Sequence, residues 1–206
     1  MADPARFWNR IARRYAKRPV ADEDAYQHKL KITRSYLRPD MNLLEIGCGT
    51  GSTALAHAPL VGHIDAIDFS EAMIGIARDK AAAAGVSNVS FRCLAIADLD
   101  APAAAYDMVL GLSILHLLDD WRALIARVHA LLRPGGLFVS STACIADIMP
   151  LFRLVAPLGS AVGVLPRVSI FTAEALRAAI TGAGFSIEHD WQPAPRQALF
   201  IVARKQ

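Results

Sequence analysis

The sequence predicts an α/β protein: a three-layer sandwich around a seven-stranded, mostly parallel sheet that ends in an antiparallel C-terminal hairpin. Three observations carry this. After residue 41, short apolar runs alternate with segments of helical period. Such strand–helix–strand units form right-handed crossovers and a parallel sheet covered on both faces. The last two apolar runs, Phe185–Trp191 and 198–204, are joined by a short loop holding Pro193 and Pro195, too little chain for a crossover, so they pair antiparallel. The composition is 54% hydrophobic and 20% charged over 206 residues, which suits one packed core and excludes a disordered chain.

Each element has a local reason. Residues 42–47 (Asn-Leu-Leu-Glu-Ile-Gly) are a buried strand ending at glycine, and His63–Asp68 is a second strand. Ser70 is the N-cap of a helix over 72–84 with Met73, Ile74, Ala77 and Ala81 on one face, and Gly85 stops it. Strands follow at 88–93 and 106–111; the continuously apolar Met108-Val-Leu fits burial on both sides. Trp121, Leu124, Ile125, Val128 and Leu131 give the helical period over 119–132. Arg133-Pro-Gly-Gly136 reads as a turn before a strand at 137–141, and Thr172 caps a helix over 172–181 that ends at Gly182-Ala-Gly184. At the front, Phe7, Ile11 and Tyr15 recur every fourth residue among many cations and predict a basic amphipathic helix, either packed on the sheet edge or closing a site.

Charge and cysteine usage narrow the function classes. The first forty residues hold ten Lys/Arg and five Asp/Glu, more than the net excess of +3 for the whole chain. The positive charge is therefore local, which argues against nucleic acid as a partner. That segment has no apolar run and predicts no export signal. Cys48, Cys93 and Cys144 are odd in number and far apart, which excludes a disulfide framework and a zinc cluster and fits reduced thiols in a cytoplasmic protein. No carboxylate spacing predicts a metal site.

The strongest motif is Leu43-Leu-Glu-Ile-Gly-Cys-Gly-Thr-Gly51. Its glycines stand at i, i+2 and i+4, where a turn leaving a strand needs positive φ and no Cβ against a ligand, and the next helix offers unpaired N–H groups. Residue 52 is Ser, so the G-x-G-x-x-G pyrophosphate fingerprint fails. The compact spacing suits a ligand with a small polar tail. Asp68 ends the second strand, 21 residues after Gly47, where a carboxylate can accept both ribose hydroxyls of an adenosine. Read singly, the glycines are also consistent with an unliganded turn and Asp68 with an Asx cap.

At this point the chain resembles the class I S-adenosylmethionine-dependent methyltransferases of small-molecule type. The resemblance rests on Leu44-Glu-Ile-Gly-Cys-Gly-Thr-Gly51, Ile67-Asp-Phe-Ser-Glu-Ala-Met73, Tyr106-Asp-Met-Val and Leu131-Leu-Arg-Pro-Gly-Gly-Leu-Phe138, in that order over 41–142. It implies a Rossmann-like fold and S-adenosyl-L-methionine as cofactor. The implied cofactor-binding residues are Glu45, Gly47, Cys48, Gly49 and Gly51 at the methionine end, Asp68 at the ribose, and Phe69 and Met73, with Ser70, beside the adenosine. Ala95, Ile96 and Leu112 complete the set. One departure stands out. Family members often carry Gly-Asp-Ala after the third strand, and Leu94-Ala-Ile96 stands here, leaving the adenine contact to Asp98 or to the backbone of Ala95 and Ile96.

Methyl transfer from a sulfonium is an in-line displacement that needs alignment and dryness, and a base only if the acceptor loses a proton. His116, just beyond the fourth strand, is the candidate base, or else a histidine that packs the following loop. The apolar stretch 145–170, with Met149, Leu151, Phe152, Leu154, Val155, Leu158 and Val162, lines an acceptor pocket, forms a homodimer face or touches a membrane. It is too broken by prolines to span one. The expectation is one domain over 1–206: a helical cap (1–40), a cofactor-binding core (41–142), an apolar insertion (143–171) and a terminal helix with hairpin (172–206). It transfers methyl to a small, largely apolar acceptor. The alternatives are a non-catalytic S-adenosylmethionine-binding protein and, disfavoured by the glycine spacing and the hairpin, an NAD-dependent oxidoreductase.

Overall fold

The computed structural model describes residues 4–149 and 168–206. Seven strands form one sheet in the order β3 (Val89–Cys93), β2 (His63–Asp68), β1 (Asn42–Ile46), β4 (Tyr106–Leu112), β5 (Leu132–Thr142), β7 (Leu199–Lys205), β6 (Phe185–Trp191), mixed because β7 runs antiparallel to both of its neighbours, β5 and β6. The chain divides into two compact units, Met1–Ala101 and Pro102–Gln206.

The first unit holds α1 (Pro4–Ala16), α2 (Glu23–Arg34), β1 (Asn42–Ile46), α3 (Ser52–His57), β2 (His63–Asp68), α4 (Glu71–Ala83) and β3 (Val89–Cys93). β1, β2 and β3 pair in parallel, with Glu45 opposite Ala66 and Asp68 opposite Cys93. Leu43, Leu44, Glu45 and Ile46 are buried in succession. Successive side chains point to opposite faces, so both faces of β1 are covered. Asp22 caps α2 by accepting from the Ala25 N–H at 2.9 Å, with Glu23 and Asp24 in the first turn and Lys31 and Arg34 in the last, the arrangement that suits the helix dipole. Ser70 caps α4 as its sequence predicts, accepting from the Met73 N–H, and Gly85 follows the helix at φ +65°.

The N-terminal pattern forms the basic helix its sequence predicts, α1, and a second helix follows it. α1 packs on α4 with Ala12 fully buried, while Tyr15 of the Phe7, Ile11, Tyr15 row is 49% exposed. A small residue at the contact lets two helix backbones approach, and Tyr15 stays outside.

The second unit holds β4 (Tyr106–Leu112), α5 (Trp121–Leu131), β5 (Leu132–Thr142), the single turn α6 (Ile145–Ile148), α7 (Ala173–Gly182), β6 (Phe185–Trp191) and β7 (Leu199–Lys205). The turn expected ahead of the fifth strand lies inside it. Tyr106 pairs with Leu132 and Met108 with Leu137, so residues 133–136 loop out and pairing resumes. The loop is pinned from two sides. The Arg133 guanidinium donates to Asp107 at 2.7 Å, Arg204 donates to the Gly135 carbonyl at 2.7 Å, and Gly135 takes φ +74°. α7 carries two caps: Thr172 accepts from the Ala175 N–H, and Asp147 accepts from the Ala173 N–H at 2.6 Å.

Candidate active site

The loop leaving β1 is built on left-handed backbone. Gly47, Gly49 and Gly51 have φ of +68°, +53° and +75°, a region closed to most side chains. The Gly47 and Cys48 N–H groups both donate to the Ile67 carbonyl, at 2.8 and 3.0 Å, folding the loop back over the end of β2. At Gly51 a Cβ would stand 2.7 Å from Phe91 Cζ and 2.9 Å from Ala77 Cβ, so this glycine also lets α3 start tight against its neighbours. Lys80 of α4 donates to the Thr50 and Ser52 hydroxyls at 3.0 and 3.1 Å and secures the far side of the loop.

Asp68 organises this loop. One carboxylate oxygen accepts from the Gly49 N–H at 3.0 Å and the other from the Ser70 N–H at 2.9 Å. The second bond is the Asx turn that its sequence position allows. The first crosses to the glycine loop and holds it to the β2–α4 turn. A carboxylate has about four lone-pair sites, so two amide bonds leave acceptor capacity on both oxygens. Burial raises the Asp68 pKa, and the Ser70 and Gly49 hydrogen bonds oppose that rise.

Glu45 is 3% exposed. Burial pushes its pKa up to about 8; the Ala54 N–H bond holds it down, and the Asp68 charge adds to the rise. Its Oε2 is buried with no hydrogen-bond partner among the described residues. An orphaned buried carboxylate oxygen costs on the order of 1–3 kcal/mol, and a cationic ligand would repay it. Tyr26 of α2 also belongs to this cluster. Its pKa is raised chiefly by burial, opposed by a hydrogen bond with the Thr53 side chain and supported by the Glu45 charge. No motif points to Tyr26 from sequence, because the helix that carries it lies outside the glycine-loop pattern. Burial, with the Glu45 and Asp68 charges, drives the Cys48 thiol far up, which makes it inert.

The other predicted residues of this unit are placed as follows. The Leu94 N–H donates to the Asp68 carbonyl at 2.9 Å, which sets Ala95 and Ile96 next to the β2 end; Ala95 precedes a short 3-10 turn over Ile96–Asp98. Phe69 is half-buried, and its carbonyl faces the exposed Cys93 Sγ at 3.6 Å. The Met73 side chain is fully buried. Asn9 was not legible from sequence: its Oδ1 accepts from the Ser70 hydroxyl at 2.7 Å and from the Ala72 N–H at 3.1 Å. It lies 61 residues from Ser70, and no local pattern links the two.

In the second unit, Leu112 ends β4 half-buried, opposite Ser141. Ser113 follows at φ +59° and donates its N–H to the Ser141 carbonyl at 2.7 Å. A non-glycine residue held there is local strain at a strand end. His116 sits in the next 3-10 turn, Leu115–Leu117. Its carbonyl accepts from the Ser169 N–H at 2.8 Å, its Nδ1 is buried without a partner among the described residues, and burial lowers its pKa. Burial thus favours the neutral imidazole, the state a base needs. Of the apolar stretch 145–170, Leu151, Phe152, Leu154, Val155, Leu158 and Val162 lie outside the described residues, and Met149 is 49% exposed. Among the described residues no His/Cys/Asp/Glu group is arranged to hold a metal ion, and no helix is long and apolar enough to cross a membrane.

Comparison with known proteins bears on the same region. Residues 43–136 match the model of a family described as "Methyltransferase domain". The chain is 32% identical over 102 residues to a ubiquinone biosynthesis O-methyltransferase of Bradyrhizobium sp. (strain ORS 278), covering 50% of this chain and 40% of that protein. It is 36% identical over 102 residues to the nocamycin O-methyltransferase of Saccharothrix syringae, covering 48% and 36%. The chain thus spans well under half the length of these curated relatives. Among solved structures, the YcgJ protein of Bacillus subtilis superposes with a TM-score of 0.72 at 20% identity, over 87% of this chain and 99% of that one, and so shares its fold.

Proposed function

We propose that the protein transfers a methyl group from S-adenosyl-L-methionine to a hydroxyl of a small, largely apolar acceptor, a reading supported by the match of residues 43–136 to a family described as "Methyltransferase domain". The observation that carries this reading is the pairing of a glycine loop clamped by Asp68 with the unpartnered Oε2 of Glu45. Two carboxyl groups flanking a loop of left-handed glycines fit a ligand with vicinal hydroxyls at one end and an ammonium at the other; a dinucleotide diphosphate would find acidic groups there and no cation to pair with. The buried orphan oxygen is the test of fit, and S-adenosylmethionine passes it.

Bound there, S-adenosylmethionine supplies a methyl already activated by sulfonium. The chain's own residues then bind and orient. Asp68 accepts the ribose hydroxyls with its free lone pairs. Glu45, ionised against the ammonium, regains the partner that burial denies it. Gly47, Gly49 and Gly51, with the main chain of Cys48, present backbone to the ligand; the family resemblance assigns Phe69, Met73, Ala95, Ile96 and Leu112 to the cofactor's surroundings. His116 takes the acceptor's proton, for which a neutral imidazole is prepared. The two relatives named above as O-methyltransferases support oxygen as the acceptor atom. The apolar character of 145–170 supports an acceptor bound by hydrophobic area, at about 25 cal/mol per Å² buried.

Calorimetric titration with S-adenosylhomocysteine and with NAD is the direct test, followed by a turnover screen on phenols, apolar alcohols and tRNA. Binding of S-adenosylhomocysteine and methylation of an apolar hydroxyl compound are expected. Binding of NAD alone overturns the cofactor, and methylation of tRNA alone overturns the acceptor class. On a hydroxyl acceptor, His116→Ala should lower kcat by about 10²-fold or more while sparing cofactor affinity.

A further inference from the structure

The turn that presents Asp68 is held from outside the motif that contains it. Ser70 is fully buried, and its one hydroxyl proton goes to Asn9 Oδ1 at 2.7 Å. Its oxygen accepts from the Met73 N–H at 3.3 Å, and its own N–H goes to Asp68 Oδ1 at 2.9 Å. Asn9 Oδ1 also accepts from the Ala72 N–H at 3.1 Å, so α1 supplies a second cap to α4 beside the one Ser70 provides. The other Asp68 oxygen holds Gly49 at 3.0 Å. One hydrogen-bonded line therefore runs from α1 through Asn9, Ser70 and Asp68 into the glycine loop. Asn9 Oδ1 serves two donors on it, and removing Asn9 leaves the buried Ser70 hydroxyl proton without an acceptor and gives the Ala72 N–H up to solvent.

We infer that Asn9 is a positioning residue for cofactor binding: it fixes the 68–70 turn so that the Asp68 carboxylate is aimed before the ligand arrives, and it thereby links the docking of α1 to cofactor occupancy. The inference rests on the reading that Asp68 takes the ribose. Preorganising a carboxylate between two amide donors cuts the ordering cost of binding, and the linkage is reciprocal, so bound cofactor must also hold α1 down.

Asn9→Leu puts an apolar side chain of similar size in its place and removes the acceptor. Asn9→Asp keeps the acceptor at a helix N-terminus that favours an anion. By calorimetry, Asn9→Leu should weaken S-adenosylhomocysteine by about tenfold, the size of one lost hydrogen bond, and Asn9→Asp should stay within about threefold of wild type. In an Asp68→Asn background the Asn9→Leu loss should shrink below about twofold, because the residue acts through that carboxylate. Hydrogen exchange on the unaltered protein provides a readout that needs no variant: amides of residues 5–16 should exchange more slowly with S-adenosylhomocysteine bound. Unchanged affinity in Asn9→Leu, the same loss in both backgrounds, or unaltered exchange in α1 overturns the inference. If wild type itself fails to bind S-adenosylhomocysteine, the cofactor reading has failed, and the inference falls with it.

Discussion

Two demands meet on the carboxylate of Asp68. It organises its own surroundings, taking the Gly49 and Ser70 amides, and it has lone pairs left for a ribose. From its place at the end of a strand alone, Asp68→Ala would weaken the cofactor and leave the ligand-free protein alone. The two amide bonds change that expectation. S-adenosylhomocysteine should bind more weakly by about 1.5–3 kcal/mol for each hydrogen bond lost to a charged acceptor, and ligand-free stability should fall by about 1–3 kcal/mol as two amides lose their acceptor. Calorimetry and urea unfolding measure the two separately. Glu45 makes a prediction of opposite character. Its pKa in the fold is about 8 against an ordinary 4.5, so between those values the folded state holds a proton that the unfolded chain has released. The stability this group contributes is complete below about pH 4.5 and is lost as pH climbs through about 8. The ligand-free melting temperature should decline over that window, and Glu45→Gln should flatten the decline. Cofactor binding below pH 8 should release a proton, visible as a buffer-dependent calorimetric enthalpy.

Among the elements, the glycine loop separates two kinds of constraint. Gly49→Ala puts a Cβ where no atom lies within 4 Å, so only the φ of +53° is paid against, about 1 kcal/mol. Gly51→Ala adds contacts of 2.7 Å to the Phe91 ring and 2.9 Å to Ala77, and should cost more than about 2 kcal/mol. A pair of urea titrations in which the two variants unfold alike would disprove this account. The same loop shows what a sequence can carry. Its spacing, the Ser70 cap and β2 at His63–Asp68 were all readable, because each depends on neighbours a few residues away. Residues 133–136 read as a turn before the fifth strand because Pro-Gly-Gly breaks strand propensity; that Leu132 already pairs ahead of them goes with Asp107 and Arg204 holding the loop, 26 and 69 residues distant. Asn9 and the orphaned Glu45 oxygen are not legible in the sequence for two reasons: one depends on a partner far along the chain, the other on the lack of a partner among the described residues.

For the molecule as a whole, the net charge of +3 is less than the N-terminal forty residues contribute. The remainder is slightly acidic, and a small neutral acceptor has little to gain from long-range fields. Turnover on such an acceptor should change by less than about twofold between 50 and 300 mM salt, whereas a polyphosphate substrate making several contacts would lose orders of magnitude. Thiol chemistry across the chain has a practical consequence. Cys48 and Cys144 are buried with raised pKa values, and Cys93 is the exposed cysteine of the three, directly across the β2–β3 ladder from Asp68. A maleimide dye added to the unaltered protein should therefore attach at one position. Its fluorescence would report, in real time and without engineering, each arrival of a ligand at the carboxylate on the neighbouring strand.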